Sequence, residues 1–561
     1  MKAGNIYARD SLLLATSNPQ NIALSDYVEC GVPAAEVENL KRKHLDRFYP
    51  FSDRLFFMVG DANSKLYFNY NENFPVGYMA EAQHLSYLRG YDNVLYDKAG
   101  NPVSVNLCSD NYREDRFLGG RKLTKSNVVL RDYSALLPFL KAGIESNKVK
   151  RFNKGRKVAG LKPQDLYLTL DAKLQVQMQN ALEEYVNQKD EFRTNNKLRI
   201  SVVVLDAENG DLLASANYPL ASQDVLSAYS SENFRDVNRP TSWVTYTDRD
   251  LGMTFPTPPG STAKVMSALA GLRKMGVAAT RKRYNVFREE IVEITNDGEP
   301  YNGRRSMFTN GVSMQDAIVY SSNCYFINLV NDNDLYDDLS FIYQNVGARI
   351  EGVIPYYMRY TAMSDSLYSY WLSIVRSNRQ DAVSYYQQYI QKRDQNLGPK
   401  RKMSHTSWQW AWGQGTLDAT PLAMARVASA VVNNGKMPKT RFVSTDPIES
   451  VQIVEPLPNA YLKAYMKAQT ESRSTYRPNF VNSRMGGKTG TPERVFTTDG
   501  TRCIAKCNDG WYVFFVERDG AKKPIAVAVR LERLSSGISD KAMDVSNDVV
   551  IKVLKDRGYM N

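Results

Sequence analysis

The chain has 561 residues, 43% of them hydrophobic and 24% charged, an ordinary globular balance with room for two or three domains and a large core. Its net charge of +12 and pI near 9.1 come without any dense basic tract beyond short ones such as Lys41-Arg42-Lys43, so the excess reads as solvated surface, not as a nucleic-acid footprint. Three histidines in no catalytic setting and five scattered cysteines argue against a His-based triad, a disulfide scaffold and a zinc site, and no long apolar run is present to span a membrane.

Residues 1–165 are polar and rich in Asn, Tyr, Lys and Arg. Gly4 to Asp10 followed by Leu12 to Ala15 predicts a strand, a turn and a second strand. The aromatics from Phe48 to Tyr70 predict mixed α and β structure with a binding or spacer role, and Lys148 to Lys157 predicts a basic linker. At Leu166 the texture changes. Leu166 to Leu170 alternates as a strand does, and Asp171 caps a helix with Leu174, Met178, Ala181, Leu182 and Tyr185 on one face. Ile200 to Leu205 reads as a buried strand that returns through the Asn209-Gly210 turn over Leu212 to Ala216.

Pro258-Pro259-Gly260-Ser261-Thr262-Ala263-Lys264 follows, a stiff turn running into an apolar helix that stops at Gly276. Ser261 and Lys264 lie three apart, so on a helix both side chains leave by one face. A serine hydroxyl becomes a good nucleophile only when something removes its proton. An amine one turn away serves if burial or a second positive charge keeps it neutral. On its own this spacing is common, and a capped surface helix accounts for it equally well.

Ser313 with Asp316 opens another helix, which runs into Tyr320-Ser321-Ser322-Asn323. Residues 334–412 form an aromatic-rich, largely helical insertion whose rings read as core more readily than as a ligand platform. Gly413-Gln414-Gly415 and Thr420-Pro421 introduce a helix ending at Gly435. Late strands are predicted at Gly486 to Thr491, Trp511 to Glu517 and Ile525 to Leu531, with a closing helix from Met543 to Leu554. Cys503 and Cys507 sit close enough to bridge in an oxidising compartment.

Gly487-Lys488-Thr489 is not a phosphate loop. That motif needs a glycine where Asn482 stands, and a helix where Gly490-Thr491-Pro492 follows. What lifts the serine above chance is an ordered trio: Ser261-x-x-Lys264, Ser321-x-Asn323 and Lys488-Thr489-Gly490-Thr491, placed at a helix start, a helix–loop junction and a strand. With these residues the chain resembles the penicillin-binding proteins and serine β-lactamases, and among them the class B D,D-transpeptidases. Leu168 to Asp171, the hairpin from Asp206 to Pro219, Gly413 through Pro421 to Gly435, Asp509 to Val513 and the final helix share the likeness. It covers 166–561, and Gly4 to Ala15 is similar to the start of the class B pedestal.

The resemblance implies an α+β multidomain protein: a mixed α/β pedestal or dimerisation-like module over 1–165, and over 166–561 a penicillin-binding transpeptidase domain, a central antiparallel sheet covered by helices. It implies that Ser261 attacks the penultimate D-Ala carbonyl of a peptidoglycan stem peptide, that neutral Lys264 takes its proton, and that Lys488 lowers the pKa of Lys264 by like-charge repulsion. Ser321 would relay a proton to the leaving D-alanine, and Asn323 would hold the substrate amide and orient Lys264. Lys488, Thr489 and Thr491 would bind the terminal carboxylate. Gly490 would leave room for the substrate along the strand. The N–H groups of Ser261 and Thr491 would form an oxyanion hole, worth ~3–4 kcal/mol per donor.

Neither a metal nor a cofactor is implied. The implied partners are stem peptides, β-lactams as inhibitors and a membrane glycan polymerase, at the extracytoplasmic face of a bacterial cytoplasmic membrane. The absence of a glycosyltransferase region argues against a bifunctional class A enzyme. The anchor that class B proteins carry would lie upstream, be trimmed, or be replaced by a membrane partner. Two alternatives stay open: a D,D-carboxypeptidase or β-lactamase in which water takes the acyl group, and a β-lactam sensor or scaffold of the same fold.

Overall fold

In the computed structural model the described residues are 3–43, 47–60, 80–84, 87–88, 94–97, 102–104, 128–130, 163–195, 198–220, 250–284, 311–350, 408–415, 417–480, 484–496, 502–534 and 538–561. The basic stretch 148–157, most of the aromatic insertion and the side chains of Cys503 and Cys507 fall outside them.

At the N-terminus, strand β1 (Ile6–Tyr7) pairs antiparallel with β2 (Leu13–Ala15), the predicted strand, turn and strand. On its other edge β1 pairs in parallel with β3 (Leu166–Tyr167). The alternation from Leu166 to Leu170 therefore builds only a two-residue strand. Thr169, its hydroxyl donating to the carbonyls of Leu212 and Arg441, instead ties this segment to the larger sheet. A second small sheet, order 102–104, 94–97, 128–130, is antiparallel throughout.

Helix α1 (Ala172–Gln188) is capped by Asp171, whose carboxylate accepts from the Leu174 N–H at 2.8 Å. Next come β4 (Arg199–Asp206) and β5 (Leu212–Tyr218), joined through Gly210 at φ +82°. Helix α2 (Lys264–Met275), which carries Lys264, stops at Gly276, φ +59° and ψ −142°, a backbone conformation that the missing Cβ makes accessible. A full capping box of Ser313 and Asp316 opens α3 (Met314–Tyr320). Ser322 caps α4 (Asn323–Asp332), and Thr420 caps α5 (Pro421–Val432). Helix α6 (Pro456–Glu471) precedes β6 (Met485–Gly490), β7 (Arg502–Val516) and β8 (Ile525–Leu534). The chain closes in α7 (Ile538–Val545), a π turn over 546–550 and α8 (Ile551–Asp556). The closing helical segment thus starts earlier than Met543 and is interrupted once.

The main sheet runs β6-β7-β8-β4-β5, every neighbour antiparallel, and Glu493–Phe496 folds back on β7. Both faces are covered, which is why Val202 to Leu205 is a continuous apolar run. Val202, Val204, Val527 and Val529 face one cluster with Leu174, Met178, Met543 and Leu554. Val203, Leu205, Ala526 and Ala528 face the other, with Val265, Met266, Leu269 and Val427. Helix α5 is buried along its whole length, the signature of a helix with no water-facing side. Small residues on β8, Ala526 and Ala528, let this layer sit close to the sheet. Among the described residues no helix is long and apolar enough to cross a membrane.

Candidate active site

The turn that carries Ser261 is built by two glycines pressed together. The Gly260 N–H donates to Gly413 O at 2.9 Å, and a Cβ on Gly413, whose φ is +92°, would lie 1.9 Å from Gly260 O. Gly413-Gln414-Gly415 thus braces Ser261 from behind. Thr257 exchanges both backbone hydrogen bonds with Ala419, at 3.0 and 2.8 Å, fixing the approach to the turn. Residues Gly260–Ala263 form a 3-10 turn, tighter than the α-helical start that the sequence predicts, and α2 begins at Lys264. In a 3-10 turn residues three apart eclipse each other, so Lys264 Nζ sits 2.9 Å from Ser261 Oγ. Ser261 is half-buried, and Lys264 is fully buried.

Ser321 closes α3 in the left-handed conformation, φ +64° and ψ +45°, a strain of about 1–2 kcal/mol for a residue with a Cβ. That conformation turns its carbonyl and its hydroxyl toward the same amine. Lys264 Nζ donates to Ser321 O at 2.5 Å and to Ser321 Oγ at 3.0 Å. Immediately afterwards Ser322 accepts from the Tyr325 N–H at 3.2 Å and starts α4. Asn323 is the first residue of that helix and half-buried.

From the sheet edge, Lys488 on β6 reaches Ser321 Oγ at 3.0 Å and the Thr489 carbonyl at 3.0 Å. Its side chain is fully buried, and burial first, with the charge of Arg473 second, pushes its pKa down to about 7. The sequence expects a lowered amine at Lys264; at Lys488 the structure gives a strong downward shift that the sequence did not foresee. Arg473 was missed because nothing in its local pattern marks it: it lies just past the end of α6. Thr489 is nearly buried and accepts from Gln469 at 3.4 Å, whereas Thr491 is exposed just past the strand end. A Cβ on Gly490 would meet Pro259 O at 2.7 Å, so the strand is pressed directly against the Ser261 turn.

Ser261, Lys264, Ser321 and Lys488 therefore form one hydrogen-bonded chain. As a neutral amine, Lys264 keeps two protons for the two Ser321 oxygens and a lone pair for the Ser261 hydroxyl proton. The Ser321 carbonyl accepts only, so it selects this orientation. Thr491, exposed, follows the buried Gly490 at the strand end, and Asn323 starts the adjoining helix.

A family model described as the penicillin binding protein transpeptidase domain matches residues 200–550. The chain belongs to that family. The match takes in every strand of the main sheet except the first residue of β4, and all eight predicted site residues of this penicillin-binding transpeptidase domain. The structure is similar to PBPA from Mycobacterium tuberculosis, at 17% identity over 99% of this chain and 99% of that one, TM-score 0.56. It is also similar to PBP2 from Pseudomonas aeruginosa, at 15% identity over 100% and 96%, TM-score 0.51. A third likeness is to the imipenem acyl-enzyme complex of the mycobacterial penicillin-binding protein A, at 16% identity over 99% and 98%, TM-score 0.51. No curated protein sequence matches. The helix-covered antiparallel sheet and the accompanying N-terminal α/β part are the fold that the sequence predicts. Among the described residues no cluster of His, Cys, Asp or Glu is arranged to hold a metal.

Proposed function

We propose that this protein is a class B, serine-type D,D-transpeptidase that cross-links peptidoglycan stem peptides through an acyl-enzyme. The observation that carries the reading is the continuous chain Ser261–Lys264–Ser321–Lys488, each link 3.0 Å or shorter. Ser261 Oγ attacks the carbonyl carbon of the penultimate D-alanine while Lys264 Nζ takes the hydroxyl proton. The N–H groups of Ser261 and Thr491 receive the developing oxyanion. The proton then passes through the Ser321 hydroxyl to the departing amine, the C–N bond breaks, and D-alanine leaves. An amine from a second stem peptide attacks the ester, returns its proton by the same route and frees Ser261.

Lys488 Nζ and the Thr491 hydroxyl donate to the substrate carboxylate, Thr489 supports that strand, and Asn323 holds the substrate amide. In this reading residues 1–165 are a pedestal module, 166–561 the catalytic domain with the 334–412 insertion, and the setting is the extracytoplasmic membrane face beside a glycan polymerase. β-Lactams, which present a strained amide in place of D-Ala-D-Ala, would acylate the same serine. Incubation with a fluorescent penicillin, mapping of the adduct and timing of its release test the proposal. Stable label on Ser261, lost in Ser261→Ala, supports it. Rapid release with turnover of the drug turns it toward a hydrolase, and label that survives Ser261→Ala refutes it.

A further inference from the structure

One cross-strand row links the substrate-binding strand to the segment that carries the nucleophile. Gly490 pairs with Trp511, Trp511 with Arg530, Arg530 with Ser201, and Ser201 with Asn217. Residues directly opposite in antiparallel strands share a face, and this face looks at the nucleophile turn, as the contact of Gly490 with Pro259 requires. Two members of the row grip one residue, Leu251. Asn217 Oδ1 accepts from its N–H at 2.8 Å, and Arg530 Nη2 donates to its carbonyl at 3.0 Å.

Arg530 does more. Its Nη1 donates to Phe255 O at 2.6 Å and to Thr257 Oγ1 at 3.4 Å. The guanidinium is fully buried, paired with Glu532 two residues along the strand at 2.7 Å. It lies 5.4 Å from the centre of the Trp511 ring and 5.6 Å from that of Phe255. A buried cation is retained only where its donors and its charge are matched. Here the matching acceptors are the backbone and hydroxyl of Leu251 to Thr257, which leads without a break into Pro258-Pro259-Gly260-Ser261. A planar fork with fixed donors holds several acceptors at set distances in a way a lysine does not.

We propose that Arg530 is a positioning residue for acyl transfer: it sets the distance between Ser261 and the Lys488-Thr489-Gly490 strand by clamping Leu251 to Thr257 onto the row that begins at Gly490. This rests on the acyl-transfer reading above. Its loss displaces Ser261 relative to Lys488 and the Thr491 N–H and leaves the carboxylate site itself in place. A shift of about 1 Å in such a geometry costs about 100-fold in rate.

The test is stopped-flow acylation of the full chain by a fluorescent penicillin, resolving the acylation rate constant from the dissociation constant, with active-site titration and a melting curve for each variant. Arg530→Lys keeps the charge opposite Glu532 but cannot hold all three acceptors, and is expected to acylate at least about tenfold more slowly at nearly unchanged affinity. Thr257→Val removes one acceptor without changing shape and is expected to slow acylation about threefold. A merely structural role would lower the fraction of chains that label and leave the rate constant of the others alone. Folded Arg530→Lys acylating at the wild-type rate constant overturns the proposal, and if Arg530→Lys does not fold, Thr257→Val at the wild-type rate constant does so. Wild-type protein that takes no label overturns the acyl-transfer reading itself, a separate result.

Discussion

Lys264 and Lys488 donate to the same atom, the Ser321 hydroxyl oxygen, each across 3.0 Å. Both side chains are fully buried, so two ammonium ions cannot share that oxygen without a large desolvation and repulsion cost. Loss of the Lys488 proton therefore leaves at most one charge at that oxygen, the state in which a nitrogen has a lone pair for the Ser261 proton. With Lys488 pushed down to about 7, the second-order acylation rate constant should rise with pH through an apparent pKa near that value. A limb centred near an ordinary lysine's 10.5 would contradict the coupling.

The same shift makes a prediction for stability. From about pH 7 to 10.5 the unfolded chain binds a proton at Lys488 that the folded chain does not. Stability therefore gains with rising pH across that window and loses the gain as pH falls through the folded value. Lys488→Met removes the contribution. Urea unfolding of wild type and Lys488→Met at pH 7 and pH 9 should show the difference moving in favour of the wild type at the higher pH. A difference independent of pH would mean that the amine is not desolvated.

Strain and chemistry can be separated at Ser321, which combines a left-handed backbone with the shared hydroxyl. Ser321→Ala keeps the strain and loses the hydroxyl; Ser321→Gly loses both. Relief of the left-handed penalty, less the extra freedom of glycine in the unfolded chain, leaves Ser321→Gly about 0.5–1 kcal/mol more stable than Ser321→Ala. Both should acylate about 100-fold more slowly than wild type. Equal stability of the two variants in denaturant titrations would show that the conformation carries no strain.

Two glycines, both at positive φ, should respond differently to alanine. A Cβ on Gly413 would lie 1.9 Å from Gly260 O, whereas one on Gly276 meets nothing within 4 Å. Gly276→Ala should cost about 1–3 kcal/mol for conformation alone and leave acylation untouched. Gly413→Ala must also push Gly260 away, so a loss of about 2–4 kcal/mol is expected, with acylation reduced about 100-fold as Ser261 moves. Similar kinetics for the two variants would remove Gly413 from the brace assigned to it.

Much of this site was legible because its chemistry needs particular residue types on local elements. A serine and a lysine three apart on a helical turn, a capping box leading to Ser321, and a glycine in a strand beside the cleft are all short-range patterns. The hairpin at Gly210 and the helix from Pro421 to Val432 were legible for the same reason, through turn and cap chemistry. Relationships set by register were not. That Arg530 opposes Trp511, and Trp511 opposes Gly490, depends on strand order in the sheet, and no local window encodes it. Alternation at Leu166 to Leu170 overstated the strand because the side chain of Thr169 turns to satisfy the carbonyls of Leu212 and Arg441. Arg473 is a case of through-space charge from an otherwise unremarked helix end.

The N-terminal part offers a prediction about stability alone. Arg47 and Glu81 are paired at 2.8 Å with side chains 3% and 0% exposed, and Arg47 Nη1 also donates to Gly4 O at 2.8 Å. Gly4 in turn is pressed on Gln164, where a Cβ would lie 1.9 Å from the carbonyl oxygen, and the Asn5 N–H donates to Asp165 at 2.7 Å. The ion pair thus supports the strap by which β1 meets β3. Glu81→Gln removes the charge paired with a buried guanidinium and should cost about 3–5 kcal/mol. Replacing both partners, Arg47→Met with Glu81→Leu, removes the two desolvation costs together and should recover more than half of that loss. Thermal or urea unfolding of the single and double variants decides it: a double variant no more stable than Glu81→Gln would mean that the pair acts through the Gly4 contact, and not through charge matching in a low-dielectric interior.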